Sequence, residues 1–201
     1  MEFLEERSPK ENTGVFDMPF LTTEFPDLLI FEPVVHGDNR GYFFESYNEE
    51  TFLQAGVSFR WVQDNQSSSL YGVVRGLHFQ LPPYAQTKLV RVLSGTILDV
   101  VVDIRKGSPT FGRQFSLELS AENKKQLLVP KGFAHGFSVL SETAEVLYKC
   151  DALYNKASER GIYFADPSLK IDWKIPAEKA TVSDKDQVLP RLADFDSPFS
   201  F

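Results

Sequence analysis

The segment KLVRVLSGTILDVVVDIR, residues 88 to 105, most limits what this chain can become. Two runs rich in aliphatic and β-branched residues flank the Ser94-Gly95 pair, which predicts two strands joined by a tight turn. Side chains on a strand alternate between its two faces. In the second run Ile97, Asp99, Val101 and Asp103 therefore share one face, and Leu98, Val100, Val102 and Ile104 share the other. One face is wholly apolar; the other carries two acids.

The rest of the chain repeats this short-strand grammar. LLIFEPVVHGD (28 to 38) and RGYFFESY (40 to 47) read as early strands, and RQFSLELS, KQLLVPKGFAHGFSVLS, AEVLYKCDALY and GIYFAD as later ones. KGSPTFG, SAENK and VPKG separate them as turns. NEETFLQAG (48 to 56) is the clearest helix: Asn48 can cap it, acids fill its first turn, and Gly56 can end it. The 18 phenylalanines and 7 tyrosines also favour sheet. The expectation is an all-β jelly-roll barrel with a few short helices. A length of 201 residues suits one domain. Residues 1–15 read as a flexible N-terminal arm and 16–201 as a single domain. Within that domain the proline-punctuated stretch after residue 166 wraps the barrel.

The formal net charge of -7, with no long basic run, argues against nucleic acid or a membrane surface as partner. A small anion remains possible, because a local group of Arg and Lys can bind phosphate inside an acidic protein. The single cysteine, Cys150, excludes a disulfide within the chain and a cysteine-based zinc site. No stretch reaches the roughly 18 apolar residues of a membrane span. The first residues, MEFLEERSPKENTG, have no apolar core of a signal peptide, so a cytoplasmic location is expected.

Chemistry centres on three histidines, His36, His78 and His135. In RGLHFQ the H-x-H pattern of a strand metal site is broken, since Gln80 stands where a second imidazole would be. His78 and His135 alone make a poor transition-metal set, and no metal is expected. As a proton-transfer base His78 is better suited, because imidazole titrates near working pH. It would need an orienting carboxylate, which Asp184 or Asp186 of SDKD can supply. Lys88, ten residues on, can return beside His78 after a turn and offer a cation to a developing enolate oxygen. Tyr148 and Tyr154 sit where strand tyrosines could donate a proton. The same residues are also consistent with a structural His–Asp pair and with core or rim tyrosines.

Taken in order and spacing, DNRGYFFESY, QDNQSSSLYGVVRGLHFQ, QTKLVRVLSGTILDVVVDIRKGSPTFG, VPKGFAHGF and SDKD resemble the dTDP-4-dehydrorhamnose 3,5-epimerases, metal-free members of the cupin superfamily. The resemblance runs from about residue 24 to 192. It implies a cupin-type jelly roll that converts dTDP-4-dehydro-6-deoxy-D-glucose to dTDP-4-dehydro-L-rhamnose in dTDP-L-rhamnose biosynthesis, without a cofactor. His78 matches the base for C3 and C5, Lys88 the cation at the C4 oxygen, Tyr148 the opposing acid, and Asp186 the dyad acid, with Asp184 as the alternative. Arg40, Glu45, Gln63 and Asn65 match substrate-binding positions, as do Arg75, His135, Glu159 and Lys185. Tyr154 matches a ring that stacks on thymine. The resemblance further implies a homodimer with strand exchange, in which Arg40 and Glu45 serve the neighbour's site. Asp99 is read as positioning Lys88 or His135.

Other readings compete. Arg40 and Arg75 also suit surface ion pairs. RKGSPTFG and VPKG read as turns alone, Gly72 and Gly76 as backbone shape, and His36 as a surface loop residue. Cys150 reads as a small buried hydrophobe, and Trp61 and Trp173 as packing. Rival activities are a single-centre epimerase or a ketoisomerase of a related dTDP-4-keto-6-deoxy sugar, a non-catalytic sugar-nucleotide binder, and a metal-dependent cupin oxygenase.

Overall fold

The structure is a computed structural model that describes residues 19–201. The expected arm over residues 1–15, and the boundary at 16, lie outside the described residues. In chain order the strands are β1 (Phe20–Thr22), β2 (Leu29–Phe31), β3 (His36–Asp38), β4 (Gly41–Phe43), β5 (Gln63–Leu70), β6 (Val73–Gln80) and β7 (Lys88–Ser94). They continue as β8 (Thr96–Asp103), β9 (Gln114–Ser120), β10 (Gln126–Val129), β11 (Phe133–Val139), β12 (Thr143–Cys150), β13 (Glu159–Gly161) and β14 (Thr181–Val182). Two short α-helices accompany them, α1 (Glu49–Gln54) and α2 (Asp184–Gln187).

Two six-stranded sheets form the body. The first runs β1-β2-β10-β7-β12-β5; the second runs β13-β6-β11-β8-β9, with β14 added beside β6. Every pairing in them is antiparallel except β14 with β6. Val90, Val92, Leu127 and Val146 of the first sheet pack against Ile97, Val101, Leu119 and Val139 of the second. This is the jelly-roll barrel expected from the sequence.

The two faces of β8 explain the rest of the architecture. Its inward face, with Ile97 and Val101, enters the core between the sheets. Its wholly apolar face, with Leu98, Val100 and Val102, would lie open to water unless another layer covered it. Leu169, Trp173 and Phe199 supply that layer, so the C-terminal stretch wraps this sheet as expected. Asp103, at the end of β8, is fully buried. It accepts hydrogen bonds from the Arg105 backbone and guanidinium, from Ser108 and from Thr110. Burial pushes this carboxyl up, but the bonds from Arg105 and Ser108 outweigh it and hold the group below the ordinary range. RKGSPTFG, read from sequence as a turn alone, is therefore the cage of a buried charge.

Several expectations need correction. Residues 28 to 38 do not form one strand: β2 stops before Pro33, which cannot donate to a ladder, and β3 pairs only with β4. The aromatic strand expected over 40 to 47 shrinks to β4, and its hairpin stands apart from both sheets with Tyr42 and Phe43 exposed. GIYFAD contributes only Gly161 to β13. The helix is as expected: Asn48 Oδ1 accepts from the Glu50 and Thr51 amides, and Gly56 follows at φ +76. Trp173 packs as expected, donating through Nε1 to the Phe164 carbonyl at 2.9 Å. Among the described residues no helix is long and apolar enough to cross a membrane.

Gly72 and Gly76 serve backbone shape as expected, a Cβ on Gly72 lying 2.3 Å from the Lys179 carbonyl oxygen, and Gly136, not singled out from the sequence, does so with Gly76 beside the two barrel histidines. β6 and β11 pair His78 with His135, and their register then shifts before Phe137. A Cβ on Gly136 would lie 2.4 Å from the Arg75 carbonyl oxygen, and one on Gly76 would lie 2.5 Å from the Gly136 Cα. Only a bare backbone allows this approach. Gly136→Ala is expected to destabilise the fold by about 2 kcal/mol, read as a lower urea midpoint.

Candidate active site

The barrel interior collects side chains from both sheets. His78 on β6, His135 on β11 and Asp99 on β8 belong to one sheet; Lys88 on β7 and Tyr148 on β12 belong to the other. Lys88 pairs across the ladder with Cys150, two residues from Tyr148, so Lys88 and Tyr148 share a face. The Lys88 ammonium lies 5.8 Å from the centre of the Tyr148 ring. His78, His135, Lys88 and Tyr148 line one cavity of about 560 Å³. Lys88 thus returns to the cavity of His78, as expected, and does so from the opposing sheet.

Asp186, and not Asp184, is the partner of His78. Its Oδ1 lies 2.6 Å from His78 Nε2, and its Oδ2 accepts from the Gly76 amide at 3.3 Å. Ser183 caps α2 by accepting from the Asp186 amide, which turns the buried Asp186 inward and leaves Asp184 exposed. Burial would raise the Asp186 carboxyl; the hydrogen bond and charge of His78, with the Gly76 amide, outweigh it and hold the group below its usual value. A carboxylate here favours the tautomer with the proton on Nε2, and Nδ1 is then the basic nitrogen.

A second pair stands at the cavity wall, where His135 is the member that lines it. His135 Nε2 lies 2.7 Å from Asp99 Oδ1, and Asp99 is fully buried. Of the two roles read for Asp99, the contact is with His135. Asp99 Oδ2 has no hydrogen-bond partner among the described residues. Among those residues, no three His, Cys, Asp or Glu side chains gather as an ion would need.

The two groups of the facing sheet are shifted in opposite directions. Burial lowers the Lys88 ammonium, against the pull of Cys150, Asp99 and Glu159. Burial raises the Tyr148 phenol, Cys150 and Glu159 add to this, and Arg75 opposes it. Cys150 is buried and its thiol is pushed up to about 11, chiefly by that burial, which suits the small buried hydrophobe read from the sequence.

At the rim, Glu159 accepts from the Tyr154 hydroxyl at 3.1 Å and pairs with Lys185 at 2.7 Å. Lys185 precedes Asp186 on α2, so the rim and the His78 pair share one short helix. Arg75 lines the cavity, donates to Ser69 Oγ at 3.1 Å and has no carboxylate partner among the described residues. Tyr154 is not on a strand: β12 ends at Cys150, and Tyr154 stands half exposed beyond it. Gln63 and Asn65 on β5 bond to each other, at 2.9 Å, outside the cavity wall. Arg40 and Glu45 are not brought to the cavity within this chain. Arg40 pairs with Asp38 on the exposed hairpin, and Glu45 accepts from Asn48 at 3.0 Å. His36 is exposed on β3. Sequence reasoning missed Ser67 and Ser183 as cavity residues. Ser183 carried a signal, since a serine before D-K-D is a helix cap.

Residues 22–194 match the family model described as dTDP-4-dehydrorhamnose 3,5-epimerase. This chain belongs to the dTDP-4-dehydrorhamnose 3,5-epimerase family. A curated epimerase of that name from Shigella flexneri is 55% identical over 170 residues, covering 84% of this chain and 93% of the relative. The crystal structure of the dTDP-4-dehydrorhamnose 3,5-epimerase from Elizabethkingia anophelis NUHP1 superposes with a TM-score of 0.84 at 53% identity, covering 87% of this chain and 96% of that one. A Legionella pneumophila dTDP-6-deoxy-D-glucose-3,5-epimerase, solved in complex with dTDP-4-keto-L-rhamnose, gives a TM-score of 0.84 at 47% identity, over 88% and 94% of the two chains. The cavity of this epimerase is therefore built inside a cupin-type jelly roll, and residues 195–201 extend past the family match.

Proposed function

We propose that this epimerase inverts C3 and C5 of dTDP-4-dehydro-6-deoxy-D-glucose, giving dTDP-4-dehydro-L-rhamnose for dTDP-L-rhamnose synthesis. The observation that carries the mechanism is the placement of His78 and Tyr148 on opposing sheets of one cavity. Both carbons are α to the C4 ketone, so one carbonyl can delocalise either carbanion as an enolate. His78 Nδ1 takes the proton from one face while Asp186 holds Nε2 and offsets the imidazolium charge. The Lys88 ammonium stabilises the negative oxygen at C4. Tyr148, kept protonated by its burial, returns a proton from the other face. Each inversion leaves a protonated His78 and a Tyr148 phenolate, and exchange with solvent resets both before the second carbon reacts. No electrons change hands, so the chemistry calls for no redox cofactor.

Arg75 and Lys185 suit the diphosphate through charge-assisted hydrogen bonds, with His135 beside them. Tyr154 suits the thymine ring, and Gln63, Asn65 and Glu159 surround that rim. Arg40 and Glu45 complete the site from a second copy in a strand-exchanged homodimer. The exposed Tyr42 and Phe43 of the hairpin that carries Arg40 support this reading. We place the enzyme in the cytoplasm, where its single buried thiol needs no oxidising surroundings.

Incubation with dTDP-4-dehydro-6-deoxy-D-glucose in heavy water, followed by NMR, tests the proposal. Deuterium is expected at both C3 and C5, with a product reducible to dTDP-L-rhamnose. Deuterium at one carbon alone would make this a single-centre epimerase, and none at either would leave only a binding protein.

A further inference from the structure

The five residues after β12, DALYN at 151 to 155, are held in an unusual way. They form no strand, and Leu153 and Tyr154 are 61% and 52% exposed, so core packing does not fix them. Side chains from elsewhere grip their backbone instead. Gln86 Nε2 donates to the Ala152 carbonyl at 2.8 Å. Gln80 Nε2 donates to the Leu153 carbonyl at 3.2 Å. Gln63 Oε1 accepts from the Tyr154 amide at 2.8 Å, and Gln80 Oε1 accepts from the Asn155 amide at 2.6 Å. Asp151 is tied in turn by the Thr87 amide at 2.7 Å.

Gln80 is the centre of this cradle. It is only 4% exposed, and both of its N–H donors are used, since Nε2 also donates to the Tyr84 carbonyl at 2.7 Å. Two carbonyls on one side and an amide N–H on the other leave one possible orientation for the group. A buried amide is unfavourable unless bonded, and here every bond but one goes to the Tyr154 segment.

We propose that Gln80, supported by Gln63 and Gln86, is a positioning residue for nucleotide recognition: it locks residues 152 to 155 so that Tyr154 is presented to the thymine ring already ordered. The Tyr154 hydroxyl bond to Glu159 completes the restraint on the side chain. Ordering a loop and an aromatic side chain at the moment of binding weakens affinity, and a loop already ordered in the free enzyme avoids that loss. Gln63, matched from sequence to substrate contact, acts here through the Tyr154 backbone. The inference rests on the proposed thymine contact of Tyr154.

A double-mutant cycle separates the two. The dTDP affinity is measured by calorimetry for the wild type, Gln80→Leu, Tyr154→Ala and the double variant, with kcat and KM for epimerisation alongside. Gln80→Leu and Tyr154→Ala are each expected to weaken dTDP by about tenfold. The double variant should bind no worse than Tyr154→Ala, and Gln80→Leu should raise KM far more than it lowers kcat. Additive losses, or a Gln80→Leu variant that binds like the wild type while Tyr154→Ala does not, would overturn the inference and leave the thymine contact standing. Unchanged binding by Tyr154→Ala would overturn the thymine contact itself. If Gln80→Leu gives no cooperative melt, Gln86→Leu, whose amide makes a single bond to the segment, carries the same cycle with the same outcomes.

Discussion

His78→Ala should lose about 10³ to 10⁴ in kcat, the upper range for removing a positioned general base, while dTDP still binds within about threefold. Two histidines compete for this role, because His78 and His135 line the same cavity and each is paired with an aspartate. Exposure decides it. The His78 side chain is 27% exposed, and that of His135 is 7%. A base must reach substrate with a free nitrogen, and in this structure His78 has the access. His135 is locked against the fully buried Asp99, which suits it to donate a fixed hydrogen bond. His78→Ala should also abolish deuterium exchange at both carbons, since one base serves both. His135→Ala should leave exchange measurable. Steady-state turnover within tenfold of wild type for His78→Ala, with exchange lost in His135→Ala, would reverse the two roles.

What the sequence could announce depended on whether its chemistry was local. The strand from 96 to 103 was legible because alternation reports burial directly, and both of its faces are buried, one by the opposite sheet and one by the wrap. β5 was not legible. QDNQSSSL is polar up to its last residue, pairs along its length only with β12, and is a strand because that partner supplies the ladder. RGLHFQ pointed to His78 but hid the purpose of Gln80, whose partners lie more than 70 residues away except for Tyr84. Lys88 follows His78 closely in sequence yet faces it from the other sheet, because the connection between β6 and β7 crosses the barrel. Asp184 and Asp186 were equivalent as letters; the cap at Ser183 distinguishes them. Arg40 and Glu45 gave the opposite lesson. The motif placed them at the substrate, and a single chain keeps them away.

Tyr148→Phe should separate proton removal from inversion. The phenol is the group that delivers a proton to the face opposite His78, so its loss should lower epimerised product by about 10² to 10⁴. His78, Asp186 and Lys88 remain, and so does the route to the enolate. In heavy water the variant should therefore exchange at C3 with retention, because the imidazolium that formed on the same face can return a solvent-exchanged proton there. The pH profile adds a second check. Burial moves Lys88 and Tyr148 apart: it brings loss of the ammonium toward neutral pH and drives loss of the phenol proton away from it. The activity limb at high pH is then set by Lys88, whose neutral form cannot stabilise the enolate oxygen. That limb should persist, at the same position, in the exchange reaction of Tyr148→Phe. A limb that disappears with the phenol would assign it to Tyr148, and inversion at an unchanged rate would mean that the second proton comes from water or from another side chain.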